Sequence, residues 1–412
     1  MKVIVLGLGI SGKAAAHFLN KRGDKVLGVD RIVQTFEEIQ VVAESSPIQL
    51  EGIDLVVKSP GITQTHPWVV AARARNVPII GEIDLALAEL KKKDKTLFGI
   101  TGSNGKTTTT LMAAHLLNVY GKKAIAAGNV GIPLIAQVDS EADVFVVELS
   151  SFQLEEIVEN RVLDGAVILN ITPNHLDRHP SFEHYRQAKL SIASCLKENA
   201  PLYVSEQVAK QCSSLLSGYE IFDCMKEKVE TILSLGYRVS LYPHDLENVT
   251  AAFLLTHIPA EILKKGIETF ARPPHRLEFV RRVAGVTYIN DSKATSVDAV
   301  IKAVQAIQAP IILIAGGVDK GGAYYDWLPH FREKVVRVLA LGAAAIRIKR
   351  ELAPEIVVDL VSSLEEGVHM ASKIAVTGCT VLLSPGCSSY DRFKDYQHRG
   401  ETFKKIVEEE ML

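Results

Sequence analysis

Runs of apolar residues alternate along the chain with stretches of helical periodicity, and many of these runs stop at a glycine or a small polar residue. Examples are VIVLGLG (3–9), DLVVKSPG (54–61), TLFGITGSNG (96–105), DVFVVELSS (143–151), GAVILNITP (165–173), PIILIAGG (310–317), VVRVLALG (335–342) and TVLLSPG (380–386). Unbroken Val/Ile/Leu runs, unlike alternating ones, suit strands covered by helices on both faces. The pattern predicts an α/β protein built on parallel sheets, with its loops of interest at the carboxyl ends of the strands.

Two breaks divide the pattern. The charge run Lys91-Lys92-Lys93-Asp94-Lys95 lies between a helical stretch (82–90) and a fresh strand, and Arg272-Pro273-Pro274 stops the helix before it. Domains over 1–92, 93–272 and 273–412 are expected, each of ordinary size. Lys+Arg 46 against Asp+Glu 48 leaves −2, so no global field attracts nucleic acid or an anionic membrane, and an anionic ligand must be held by local groups. A hydrophobic fraction of 47% with 23% charged residues excludes disordered and fibrous classes. Cys195, Cys212, Cys224, Cys379 and Cys387 are odd in number, widely spaced and without CxxC, which reads as free buried thiols in a reducing compartment. The first apolar run is too short and glycine-broken for a signal segment, and no run approaches the ~18 residues of a membrane span. A cytoplasmic, monomeric protein is expected.

Two loops carry phosphate-binding signals. Gly7-Leu8-Gly9-Ile10-Ser11-Gly12 follows strand VIVL and opens a helix at 13–21, and Asp30 closes the next strand, KVLGVD. Such glycines let the backbone approach a pyrophosphate at a helix N-terminus, and an acid there can bind a ribose. Alone, the motif fits an NAD site, a site for another diphosphate, or a structural turn. The second signal is more specific. Gly102-Ser103-Asn104-Gly105-Lys106-Thr107-Thr108 joins strand LFGIT to a helix at 109–120, with Ile100 where the longer P-loop pattern has glycine. In this shorter form, backbone N–H groups still cradle phosphates, Lys106 reaches the outer ones and Thr107 is placed for Mg²⁺. ATP binding is expected.

Glu148 closes the strand of VVELSS, where a carboxylate suits a hard cation; the alternative is an acid capping the next helix. His175 and His179 fall in a loop bracketed by Pro173 and Pro180, so their spacing of four does not make a zinc site; one of them facing the nucleotide is expected. Lys189 lies on a helix at 182–194 among Tyr185, Ala188, Leu190 and Ile192, a setting in which lysine is usually a snorkelling surface residue.

Taken in order, the motifs resemble those of the Mur ligases, the ATP-dependent amide-forming enzymes of peptidoglycan precursor synthesis. The resemblance runs through GxGxxG, SPGI (59–62), TGSNGKTT (101–108), GNVG (128–131), ELSSFQLE (148–155), NHLDRH (174–179), PPHRLE (273–278), NDSKATS (290–296), GGVDKG (316–321) and SPGCSSYDRFKDYQHRG (384–400). It implies three domains: a Rossmann-like N-terminal domain, a central P-loop ATPase domain with a mostly parallel sheet, and a C-terminal Rossmann-like α/β domain. The first would hold the UDP-sugar through Ile10, Ser11, Asp30, Arg31, Ser59 and Gly61. ATP would be bound by residues 102–108, Asn248, Arg276 and Asp291. Lys106, Asn129, His175 and Lys189 take catalytic positions. Thr107, Glu148, His175 and Lys189 (the last as a carbamate) would ligate two Mg²⁺ ions. Lys293, Thr295, Lys320, Ser389 and Tyr396 fall where the D-glutamate-adding branch binds its amino acid, and the implied acceptor is UDP-N-acetylmuramoyl-L-alanine.

The chain departs from the family pattern at three places. His244-Asp245-Leu246-Glu247-Asn248 stands for HNxxN, so only Asn248 is carried over; Gly386 and Ser388 occupy usual alanine positions, and Tyr396 a usual phenylalanine. The implied chemistry is conversion of a carboxylate to an acyl phosphate by ATP, followed by attack of the amino-acid amine. Three other readings remain: a sister Mur ligase or folylpolyglutamate synthase, an NAD-dependent dehydrogenase resting on GxGxxG and Asp30, and a non-enzymatic P-loop module.

Overall fold

The computed structural model describes all residues except 34–35, 159–160, 177, 223–242, 309, 354 and 410–412, together with the side chains of 243–244. The apolar runs become the strands of three sheets. Strands β1 (Lys2–Leu6), β2 (Lys25–Asp30), β3 (Gln40–Ala43), β4 (Leu55–Lys58) and β5 (Ile79–Gly81) form a parallel sheet in the order β3-β2-β1-β4-β5. Strands β6 (Thr96–Thr101), β7 (Ala124–Gly128), β8 (Val144–Glu148), β9 (Gly165–Ile168), β10 (Leu202–Ser205) and β11 (Glu220–Phe222) form a second, also parallel, in the order β11-β10-β9-β6-β8-β7. The third sheet orders β12 (Glu278–Val283), β13 (Val286–Asn290), β14 (Ile311–Gly316), β15 (Val335–Leu341), β16 (Val358–Leu360) and β17 (Thr380–Leu383) as β12-β13-β17-β14-β15-β16.

Covering on both faces is visible in β14. Ile311, Leu313 and Ala315 pack with Trp327 and Phe331 on one side, while Ile312 and Ile314 pack with Val368 and Phe403 on the other. Among the strands described above, the antiparallel pair is the hairpin β12–β13, which turns through Ala284 and Gly285 at φ 47° and 82°. Its outer strand EFVRRV mixes charge with an exposed Phe279, so it carries no apolar run to announce it. An antiparallel edge on a parallel sheet is a common solution.

Helices begin earlier than periodicity suggested. The first spans Ile10–Lys21 and the P-loop helix Lys106–Val119, because each starts directly at its glycine turn. The helix expected over 182–194 is α-helical only over Phe182–Leu190 and tightens to a 3₁₀ turn at Ser191–Cys195. Among the described cysteines, Cys195, Cys212, Cys379 and Cys387 are free and buried; Cys224 lies outside the described residues. No helix among the described residues is long and apolar enough to cross a membrane.

The first two sheets belong to one compact unit. The third sheet belongs to another, which also takes residues 172–185. Within the first unit, the helix Glu82–Lys92 meets the second sheet's segment through buried acids: Glu82 Oε1 accepts from Ile135 N (2.8 Å) and Asp84 Oδ1 from Val158 N (3.1 Å). Glu82 is 1% exposed and its second oxygen has no partner among the described residues. Burial pushes its carboxyl up to about 7, against 4.5 for the free group. An acid whose pKa is raised on folding destabilises as pH climbs from its unfolded toward its folded value. Glu82→Gln should therefore flatten this fall, gaining up to about 3 kcal/mol at pH 8 and almost nothing near pH 4.5. Urea unfolding of both proteins at the two pH values measures it, and equal pH slopes would refute it.

Candidate active site

The P-loop is shaped by contacts from the strands and helix around it. Thr101, the last residue of β6, donates its hydroxyl to Leu149 O (2.8 Å) and so ties the ends of β6 and β8. Gly105 turns the chain at φ 85° into the helix, and a Cβ there would lie 2.3 Å from Asn248 Oδ1. Thr109 donates to the same Asn248 oxygen (3.2 Å). Asn170, just past β9, holds the loop from behind: its carbonyl accepts from Ser103 N (2.8 Å), its Oδ1 from Asn104 N (2.8 Å), and its Nδ2 donates to Asn104 O (3.1 Å).

Two lysines converge on this loop. Lys106 Nζ donates to Gly102 O (2.8 Å) and Ser103 O (3.0 Å), and Lys189 Nζ donates to the same Gly102 O (2.8 Å). Lys189 is 1% exposed, so the snorkelling surface residue expected from its spacing is instead fully internal. Burial first, and the neighbouring Lys106 charge second, hold its ammonium well below the usual lysine pKa, with Glu148 opposing.

Glu148 ends β8, and the parallel neighbour β7 ends level with it at Gly128. Gly128 takes φ 99°, and a Cβ on it would stand 2.4 Å from Glu148 O. The next residue, Asn129, donates its backbone N–H to that carbonyl (2.9 Å) and its Nδ2 to Glu148 Oε1 (2.8 Å). The other oxygen, Oε2, is buried with no hydrogen-bond partner among the described residues. The helix-cap alternative falls away, because the helix Ser151–Leu154 is capped by a reciprocal Ser150–Gln153 box. A buried carboxylate oxygen lacking a donor fits a hard cation. Thr107, half-buried, sits in the first turn of the P-loop helix.

In the loop 172–180, His179 is buried and packs edge-on against Tyr185 (5.2 Å between centroids), leaving His175 as the half-buried histidine, at φ 56°. In the N-terminal glycine loop, Asp30 accepts from Leu8 N (2.5 Å) and Ile32 N (3.1 Å), and Ser59 donates to Gly7 O (2.7 Å). Asp30 and Ser59 thus brace the turn. Ile10 is 78% exposed beside it, and Arg31 reaches Glu44 (3.3 Å).

In the second unit, Asp291 is buried between Leu277 N (3.2 Å) and Ser384 Oγ (2.8 Å); burial pushes its carboxyl up to about 7 against those two donors and the charge of Arg276. Lys293 holds its ammonium 3.9 Å from the centre of the Tyr396 ring, and Lys320 donates to Thr295 Oγ1 (3.2 Å). The loops carrying Lys320 and Ser389 are zipped together by mutual Val318–Ser388 backbone bonds (2.8 and 3.0 Å). Asp319 fixes the first of them by accepting from Gly321 N, Tyr324 OH and Arg347.

Residues 1–81 match the Mur ligase MurD-like N-terminal domain, 100–217 the Mur ligase middle domain and 275–387 the Mur ligase glutamate ligase domain. A protein of Protochlamydia amoebophila named UDP-N-acetylmuramoylalanine--D-glutamate ligase is 40% identical over 437 aligned positions, covering 98% of this chain and 97% of that one. The chain belongs to the Mur ligase family. A Chlamydia pneumoniae protein of the same name is also 40% identical, across 99% of this chain and 98% of its own. Among solved structures, the UDP-N-acetylmuramate-alanine ligase MurC of Thermotoga maritima superposes with TM-score 0.61 at 17% identity over the full length of both chains. MurF of Acinetobacter baumannii gives 0.62 at 15%, over 98% of this chain and 90% of that one. At those identities the likeness is one of fold.

Several contributors carry no motif. Asn170 sits at the carboxyl end of a buried strand, the placement that singled out Glu148, and that logic would have found it. Lys58 and its partner Glu156 are largely internal charges, and only burial reveals them. Asn170→Ala removes two side-chain hydrogen bonds from the P-loop, each worth about 1 kcal/mol, so ATP should bind about 30-fold more weakly. Calorimetric titration with ATP checks it, and unchanged affinity would mean that the loop holds its shape unaided.

Proposed function

We propose that the chain is an ATP-dependent ligase joining D-glutamate to UDP-N-acetylmuramoyl-L-alanine through an acyl phosphate, in cytoplasmic peptidoglycan precursor synthesis. The observation that carries the reaction class is the meeting of Lys106 and Lys189 at Gly102 O in a loop braced by Asn170. The choice of substrates rests on relatives of that name matching along nearly the whole chain.

Carboxylate and amine do not condense in water, so the acceptor's L-alanine carboxylate must first take the γ-phosphoryl group. Asn170 engages the N–H groups of Ser103 and Asn104, so the phosphates are assigned to the remaining backbone N–H groups of 102–108, and Lys106 moves from its carbonyl partners onto the transferring oxygens. Arg276 is assigned the same charge from the second unit, and Asp291 and Asn248 the nucleoside. Thr107 and Glu148 would hold one magnesium ion, and His175 and Lys189 a second, which would supply positive charge to offset that of the transferring group. Asn129 fixes one Glu148 oxygen and leaves the other for the ion. Ile10, Ser11, Arg31, Ser59 and Gly61 are assigned to the UDP-sugar, with Asp30 bracing their loop. Lys293, Thr295, Lys320, Ser389 and Tyr396 are assigned to D-glutamate, whose two carboxylates suit paired lysines. Its amine then attacks the acyl carbon, the C–N bond forms, and phosphate leaves.

The first test is phosphate release with ATP and UDP-N-acetylmuramoyl-L-alanine across a panel of amino acids. D-glutamate alone should support it. Release only with L-alanine, a diamino acid or a folate acceptor would replace this reading with the sister ligase or folylpolyglutamate synthase.

Lys189 is proposed to act as a carbamate. Its lowered pKa favours the neutral amine, the form that adds to CO₂: an N–C bond forms, one proton is lost, and the product is an anion with two oxygen donors. Lys189→Ala should then lose activity by about 100-fold or more. Acetate or formate should restore part of the rate by filling the vacated oxygen site, and Lys189→Arg should stay inactive. Full activity of Lys189→Ala without additive would sink the carbamate.

A further inference from the structure

Strand β4 ends in a cation that its apolar run does not call for. Lys58 is 2% exposed; its ammonium donates to Ile62 O (2.7 Å) and pairs with the carboxylate of Glu156. Ile62 closes the turn Ser59-Pro60-Gly61-Ile62 through its N–H on Ser59 O (3.0 Å), and Ser59 in turn donates to Gly7 O (2.7 Å). Glu156 follows the capped helix Ser151–Leu154, eight residues after Glu148. Gln64 Nε2 reaches the same Glu156 oxygen (3.1 Å), and Arg73 holds Gln64. The pair therefore links the SPGI turn and the glycine loop of the first sheet to the segment that carries Glu148 in the second.

Stability is a poor reason to keep such a pair. Apolar residues of similar volume in place of a buried ion pair are often neutral or stabilising, while losing one partner is costly. Burial even raises the Glu156 carboxyl above its ordinary pKa despite Lys58 beside it. The pair also borders a cavity of about 270 Å³ lined by Gln64, Arg73 and Glu155, so it does not act as core filler. The seam has other ties, in which Glu82 accepts from Ile135 N and Asp84 from Val158 N.

We infer that Lys58 is a positioning residue: through Glu156 it sets the sugar-nucleotide turn 59–62 against the phosphate-transfer end of the second sheet. The inference rests on the proposed binding of the UDP-sugar by Ser59 and Gly61.

The test compares wild type with the double variant Lys58→Met/Glu156→Leu and with Glu156→Gln, reading melting temperature, KM for UDP-N-acetylmuramoyl-L-alanine and KM for ATP. The double variant should melt near wild type, with its sugar-nucleotide KM raised about tenfold and its ATP KM unchanged. Glu156→Gln keeps the shape and loses the charge, so it should move the same constant in the same direction even if the double variant fails to fold. A sugar-nucleotide KM at the wild-type value in a folded variant overturns the inference, as does an equal rise in both constants, the signature of general loosening. Failure of wild type itself to bind UDP-N-acetylmuramoyl-L-alanine in direct titration overturns the proposed function and this inference with it.

Discussion

A loop that is to cradle phosphate must keep its shape while some of its backbone N–H groups stay turned toward the ligand. That constraint organises the carboxyl edge of the second sheet. The loop after β6 is supported from elsewhere: by the Asn170 amide, the Thr101 hydroxyl on Leu149 O, and the close seat of Gly105 against Asn248. Once the loop is fixed, Gly102 O becomes a common acceptor for two ammonium groups, and the second of these is buried. Burial first, and the charge of Lys106 after it, lower the pKa of the Lys189 ammonium. The carbonyl that holds it there lies 87 positions away in sequence.

Much of this was legible in the chain. Unbroken apolar runs marked the strands because both faces of each sheet are covered, as the alternate packing of Ile311 and Ile312 makes plain. Gly105 and Lys106 were legible because phosphate binding dictates both residue type and spacing. Three kinds of feature were not. Burial of Lys189 depends on what packs over its helix, and neighbours at helical spacing do not report that. The hairpin β12–β13 is an edge whose outer strand carries exposed charge, so no apolar signal marks it. Lys58 works through the main-chain oxygen of Ile62, and a main-chain partner leaves no trace in residue identity.

The departures from the family pattern find local explanations in the second unit. Gly386, where alanine is usual, takes φ 68°, and a Cβ there would stand 2.6 Å from the Trp327 ring. Trp327 is fully buried and stacks on Phe331, so the ring cannot yield readily. Tyr396 in place of phenylalanine still offers a ring face to Lys293, and it is the face that holds a cation. Asp245 begins the described part of its motif's side chains, and nothing in the structure explains its replacement of asparagine.

The paired ends of β7 and β8 have a bearing on how this protein could change under selection. At Gly128 even one carbon atom would sit 2.4 Å from a backbone oxygen, and backbone cannot swing aside as a side chain does. The residue that follows is tied at both its main chain and its amide to Glu148. A small molecule that gripped these two strand ends would face a surface with almost no neutral substitutions within reach, since nearly every exchange that displaced the molecule would displace Glu148 as well. Resistance would have to arise elsewhere, through supply of the protein or exclusion of the compound.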